Sequence, residues 1–217
     1  MGFLDFAVSY LSKQLNRPDS PLFLPKLIRA QHNPVYDPWV IEEQQLPYLF
    51  DHLKAVLKQA TITGISNVAI VGEPSVEHDS IVSAEAQFST ALPEPDSICI
   101  TGTLLLMQDT GETLTCDFDA KVKKALIGAR ITFTEQGSRL QATVNHLQLK
   151  VARPYTASLK VNVRVLGADP NWNALVQNKL NEEKHLNILV DLLTGKLAES
   201  KTLQSFSDLL TDAINTI

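Results

Sequence analysis

The chain has 217 residues, enough for one large domain or two small ones, and its 44% hydrophobic and 20% charged residues exclude a disordered polymer. A formal net charge of −5 argues against a nucleic-acid surface, because that affinity comes mainly from Lys and Arg neutralising phosphates. No run approaches the about eighteen apolar residues of a membrane-spanning helix.

Residues 1–16, MGFLDFAVSYLSKQLN, place Phe3, Phe6, Ala7, Tyr10 and Leu11 at helical spacing, which predicts a short amphipathic helix. Asp5 stands where a secretory signal needs basic residues, and the apolar residues are spaced rather than continuous, so the segment is not a signal peptide. The cytoplasm is the expected location; a non-classical export route would leave no mark on the sequence. Residues 17–39 hold Pro18, Pro21, Pro25, Pro34 and Pro38, too many for regular structure. A draped linker is expected, pinned by Leu22, Phe23, Leu24, Tyr36 and Trp39. Residues 40–58 read as a helix with Leu46, Leu49, Phe50, Leu53, Val56 and Leu57 on one face, strained in its first half by Pro47.

Residues 61–166 are strand after strand. ISNVAIV comes first, then IVSAEAQFSTAL with Val82, Ala84, Ala86, Phe88 and Leu92 as its apolar row, then a break at PEPDS. ICITGTLLLM leads through QDTGE into TLTCDFDAKVKKAL, residues 113–126, which alternates over roughly 45 Å of extended chain. A three-residue loop at Asp109, Thr110 and Gly111 puts Leu106 opposite Leu114, Leu104 opposite Cys116, Gly102 opposite Phe118, Ile100 opposite Ala120 and Ile98 opposite Val122. Every pair is then apolar, and Gly102 makes room for Phe118. In the next hairpin a Gln136-Gly137 turn would put Phe133 opposite Leu140 and Ile131 opposite Ala142. The apolar row changes parity between Val144 and Leu147, which predicts a bulge at Asn145 and His146, with Gly128 marking a similar irregularity. ASLKVNVRVL is the last strand.

After residue 166 the period becomes helical. Asp169 is the expected N-cap and Pro170 the first helical residue. Leu175, Val176, Leu180, Leu186, Leu189, Val190, Leu193 and Leu197 follow, then a last segment with Leu203, Phe206, Leu209, Leu210, Ile214 and Ile217. The expected fold is α+β, one domain of 217 residues. A long, highly curved antiparallel meander wraps around a long C-terminal helix at 169–217, with N-terminal helices before it.

This order resembles the tubular lipid-binding (TULIP) superfamily over residues 40–217, above all in TLTCDFDAKVKKAL and NWNALVQNKLNEEKHLNILVDLL. That group includes the bactericidal/permeability-increasing proteins, the insect takeout and juvenile-hormone-binding proteins, the mite group 7 allergens and the accessory proteins of clostridial neurotoxin clusters. The resemblance implies a lipid or other apolar molecule held between sheet and helix. Secreted members carry signal peptides and often a disulfide, so the intracellular or non-classically exported bacterial members are the closer analogy.

Chemistry-bearing residues are sparse. Cys99 and Cys116 fall on opposite faces of the sheet and are expected as free thiols; neither has a second metal ligand at short spacing. Glu77, His78 and Asp79 form the densest acid–histidine cluster and read as a polar loop. His185, among Glu182, Glu183 and Lys184, reads as a solvated helix face. Asp117 and Asp119 alternate with Lys121 and Lys123, as on a solvated face with cross-strand pairing. The basic cluster Lys121, Lys123 and Lys124 reads as a strand edge kept soluble by lysines. No phosphate loop, nucleophile elbow or metalloprotease motif occurs. No catalytic residue, metal or cofactor is assigned. The expected cavity lining is Phe88, Ile100, Leu104, Phe118, Phe133 and Leu189.

The leading expectation is non-enzymatic binding of a lipid-like molecule. The alternative is an assembly or accessory protein with a filled core, docking a protein partner through residues 1–39. The third is an enzyme on an apolar substrate, with His146 or His78 as base. Peripheral membrane contact is compatible with the first helix; no nucleic-acid partner is expected.

Overall fold

The hairpin at 97–123 sets the frame. β6 (Ser97–Gln108) and β7 (Thr113–Lys123) pair antiparallel, with the Gln108 N–H donating to the Glu112 carbonyl at 2.8 Å and Gly111 at a φ of 89°. Leu106 faces Leu114, Leu104 faces Cys116, Gly102 faces Phe118, Ile100 faces Ala120 and Ile98 faces Val122, the predicted register throughout. A Cβ on Gly102 would stand 2.9 Å from the Phe118 ring and against the Gln59 carbonyl oxygen, so a side chain there displaces one or both. The structure, a computed structural model, describes residues 3–31, 36–50, 53–77, 81–88, 97–123, 125–137, 139–168 and 170–216.

Around this hairpin the α+β fold is built from two antiparallel sheets. β7 pairs with β10 (Leu159–Val165), and β6 with β3 (Leu53–Thr63). The far edge of β3 carries both β1 (Trp39–Ile41) and β2 (Gln44–Phe50). The second sheet has the order β4 (Val68–Glu77), β5 (Ile81–Phe88), β8 (Leu126–Gln136), β9 (Arg139–Lys150). The chain alternates between the sheets hairpin by hairpin instead of running as one meander. Their inner faces share one core: Ile62, Ile100, Ala120 and Val161 form a row across the first sheet, and Val82, Ile131 and Val144 across the second.

Several expectations are corrected. Residues 40–58 are not a helix but β1, β2 and the start of β3. The register of β3 shifts between Leu57 and Gln59, so the inward row moves from Ala55 and Leu57 to Ala60 and Ile62; with Val56 also buried, Leu53, Val56, Leu57 and Ala60 fall at helical spacing. Pro47 is accommodated in β2, which pairs only with β3. In the β8–β9 hairpin Gln136 faces Arg139, so Phe133 faces Ala142 and Ile131 faces Val144. A slip of two residues keeps every side chain on its face, so apolar matching could not choose between the registers. The bulge does fall at Asn145, between Arg130↔His146 and Ile131↔Val144, whereas Gly128 pairs regularly with Gln148. In α1 (Phe3–Asn16) the buried face is Val8, Leu11 and Leu15, and Phe6 and Tyr10 point out. The proline-rich segment contains α2 (Leu24–Arg29), with Pro25 in its first turn, and buries Leu22, Leu24, Tyr36 and Trp39.

The C-terminal helical run resolves into α4 (Pro170–Leu180), α5 (Glu183–Leu197) and α6 (Ser200–Ile214), after the short α3 (Tyr155–Ser158). Pro170 opens α4 as expected; Asp169 lies outside the described residues. α4 runs antiparallel along the open edge of β10. Asn173, Gln177 and Asn181 accept from the N–H groups of Val165, Val163 and Val161 at 2.6, 2.7 and 3.0 Å, and the Gln177 and Asn181 amides donate back to the Val161 carbonyl. α6 treats β9 the same way. Ser207, Thr211 and Asn215 accept from Val144, Ala142 and Leu140 at 2.8, 3.0 and 3.2 Å, and Asn215 donates to the Leu140 carbonyl at 2.7 Å. Four helical residues advance about 6 Å and two strand residues about 6.7 Å, so a helix stays in step with a strand for three rungs. Each helix thereby stands in for a missing strand and closes an edge that would otherwise template pairing with another chain. On β4, Asn16 at the end of α1 makes a single rung, exchanging two bonds of 2.7 Å with Ile70.

Candidate ligand cavity

The inner faces of the sheets are apolar, and the helices that cover them leave space. A large apolar void, about 120 Å³, lies over the four-stranded sheet. Its floor includes Val82, Ile131, Phe133 and Val144; α1 contributes Val8, Leu11 and Leu15, and α6 contributes Phe206, Leu209 and Leu210. α1 lies against β4 and α6 against β9, so the void is a slot between two helices held at opposite sheet edges. A far void of about 50 Å³ sits between α5 and the six-stranded sheet. A middle void of about 20 Å³ lies where Ile62 and Ile98 of one sheet approach Leu149 of the other.

The three are successive. The large and middle voids share Ile65 and Ile127; the middle and far voids share Leu193. Together they trace a corridor between the sheets and the C-terminal helices. Among the described lining residues, Ser12 is the only polar side chain on the large void and His185 the only one on the far void. A water needs about 10–15 Å³ and two to four polar partners, so this corridor has room for apolar groups but little to hold water in place.

Of the expected lining residues, Ile100, Leu104, Phe118 and Leu189 meet on the far void and Phe133 lines the large one. Phe88 ends β5 opposite Val68; its side chain lies outside the described residues. The sequence reading missed the roof of the large void. Val8, Leu11 and Leu15 do stand at helical spacing, but so do Phe6 and Tyr10, and spacing alone does not orient the helix.

His185 is corrected from a solvated position to a buried one, 5% exposed. Its Nδ1 lies 2.5 Å from the Lys179 carbonyl. A carbonyl only accepts, so Nδ1 carries the proton in this contact. His146 is exposed at the β9 bulge, on a polar groove with Arg130, Gln148 and Lys150, on the face turned away from the corridor. His78 and Asp79 lie outside the described residues. Cys99 and Cys116 are free thiols; Cys116 is wholly buried, and burial, with Asp117 adding, pushes its pKa up to about 11. No helix among the described residues is long and apolar enough to cross a membrane.

No protein-family model matches the sequence, and no curated protein is similar to it by sequence. Solved structures do match in shape. The crystal structure of Takeout 1 from Epiphyas postvittana aligns with a TM-score of 0.59 over 95% of this chain and 90% of that one, at 10% identity. A crystal structure of lipopolysaccharide binding protein aligns with a TM-score of 0.50 over 95% of this chain and 38% of that one, at 14% identity. The chain shares the fold of these two structures. Likeness at such identities establishes the fold and not a ligand.

Proposed function

We propose that the protein is a non-enzymatic binder of a lipid-like or other apolar small molecule, held in the corridor between the two sheets and helices α1, α5 and α6. The observation that carries this reading is the succession of three voids with shared walls, lined almost wholly by hydrocarbon. Binding would be driven by removal of the ligand's apolar surface from water, at about 25 cal/mol per Å². The tubular lipid-binding fold supports the reading by analogy. Docking of a protein partner through residues 1–39 has less support, because Leu22, Leu24, Ile28, Tyr36 and Trp39 are buried in this chain's own core.

Native mass spectrometry of the freshly purified protein, followed by extraction with organic solvent, tests the proposal. A discrete apolar adduct, lost on denaturation, is expected. A clean apo mass, with no uptake from a mixture of fatty acids and phospholipids, would overturn it.

A further inference from the structure

α1 has two apolar faces. Val8, Leu11 and Leu15 line the large void. On the other side Phe6 and Tyr10, one turn apart, are 62% and 41% exposed, with rings stacked at 6.4 Å and 18°. Lys13 is exposed at the next helical step, and Arg17 follows just past the helix end. Spacings of four, three and four residues put all four on one outward stripe.

We propose that this stripe docks the protein on a lipid bilayer bearing anionic headgroups. Phe and Tyr rings are suited to the boundary between acyl chains and headgroups, where Tyr keeps its hydroxyl in the polar layer. A lysine beside them extends its stem along apolar surface and places its amine among the headgroups. Arg17 shares its charge with Asp19 at 2.8 Å, which leaves Lys13 as the main cation of the stripe. The contact is therefore weak and salt-sensitive. The whole chain carries −5, so an anionic surface attracts it only through a local basic feature such as this stripe. The other exposed large apolar side chains among the described residues are Val40, Leu166, Trp172 and Leu175. Leu166 bonds to Thr115, just beyond a hairpin tip that carries Asp109 and Glu112.

Docking in this pose sets the slot beside α1 next to the membrane, a route by which an apolar molecule passes without crossing water. That route rests on the carrier reading; the docking does not.

The test is flotation of the full chain with phosphatidylcholine vesicles, with and without phosphatidylserine, at low and physiological salt. Wild type is expected to float with the anionic vesicles. Phe6→Ser combined with Tyr10→Ser should weaken this by about tenfold or more, and Lys13→Glu should abolish the preference for phosphatidylserine. Both variants alter exposed side chains, and unchanged circular dichroism and melting curves verify their fold. Uptake of a fatty acid delivered from solvent should be unaffected in both variants, which separates failure of docking from failure of the binding reading. Wild type that stays unbound to both vesicles, or a double variant that floats equally well, would overturn the proposal. So would a wild-type dimer that the double variant dissolves, since the stripe would then serve a second copy of the chain.

Discussion

Thr211 is the middle rung of the ladder by which α6 closes the β9 edge, and Thr211→Val isolates that rung. The two side chains are nearly isosteric, both β-branched, and close in helix propensity. The substitution therefore removes a hydroxyl and little else. That hydroxyl accepts from the Ala142 N–H at 3.0 Å and donates to the Ala142 carbonyl at 3.2 Å, and Ala142 is 1% exposed. Ser207 and Asn215 hold the flanking rungs, so the helix cannot swing aside to admit water. Two buried backbone groups left unpaired cost about 1–3 kcal/mol each, partly offset by the new methyl, for a net loss of about 2 kcal/mol. For a domain of this size the melting temperature should fall by about 4–8 °C. Thermal and urea melts of wild type, Thr211→Val and a control, Thr134→Val on the exposed face of β8, provide the comparison. The control should stay within about 0.5 kcal/mol of wild type. The Ala142 amide should also exchange faster in Thr211→Val. If Thr211→Val melts with the control, the ladder is not closing the edge.

Gly102→Ala places a Cβ 2.9 Å from the Phe118 ring and against the Gln59 carbonyl oxygen, so urea denaturation should register a loss of about 1–3 kcal/mol. Adding Phe118→Leu should recover only part, because the backbone conflict remains. Leu193→Ala, at the wall between the middle and far voids, should cost about 2–5 kcal/mol without ligand. Across a fatty-acid series the same variant should shift the best-bound chain length upward, measured by displacement of a fluorescent probe. Cys116 has a folded-state pKa of about 11 against an ordinary 9.0, so the unfolded chain releases this proton first. Its contribution to stability is intact below pH 9 and declines as pH rises from 9 to about 11; Cys116→Ala should flatten urea midpoints over that window.

How much of this was legible in the sequence depended on whether the pattern had a single reading. The 97–123 hairpin did: any register but one puts an apolar residue against a polar one or Phe118 against a larger neighbour. The β8–β9 hairpin did not, because Leu140, Ala142 and Val144 are interchangeable by that criterion. In β3 the shift at Lys58 leaves Leu53, Val56, Leu57 and Ala60 at helical spacing, which disguised the strand as a helix. Asn173, Gln177, Asn181 and Ser207, Thr211, Asn215 are plain in the sequence as polar residues at every fourth position, but such a stripe reads as a solvated face until a strand edge is found beside it. Ile100, Leu104, Phe118 and Leu189 meet on the far void because they share a core and three lie on neighbouring rungs of one hairpin. The walls of the large void come from α1, a four-stranded sheet and α6, whose meeting is wholly tertiary and has no mark in the sequence.

The ladders also explain why the large void exists. A helix anchored at a sheet edge by side chains to backbone cannot also sit over the centre of that sheet. α6 is fixed to β9 and α1 to β4, so their apolar side chains reach inward from opposite edges and leave a slot above a floor that includes the small residue Ala129. Filling the slot should therefore be the stabilising choice for the empty protein. Ala129→Leu adds three carbons where there is space, worth at most about 0.8 kcal/mol each, so apo stability should rise by up to about 2 kcal/mol. The same change should suppress ligand uptake into the large void, because it occupies the floor between α1 and α6. Opposite signs for stability and binding are the signature of a cavity kept open for use. A variant that is stabilised and binds as well as wild type would show that the ligand sits elsewhere. One that is destabilised would show that the slot is packed more tightly than its volume suggests.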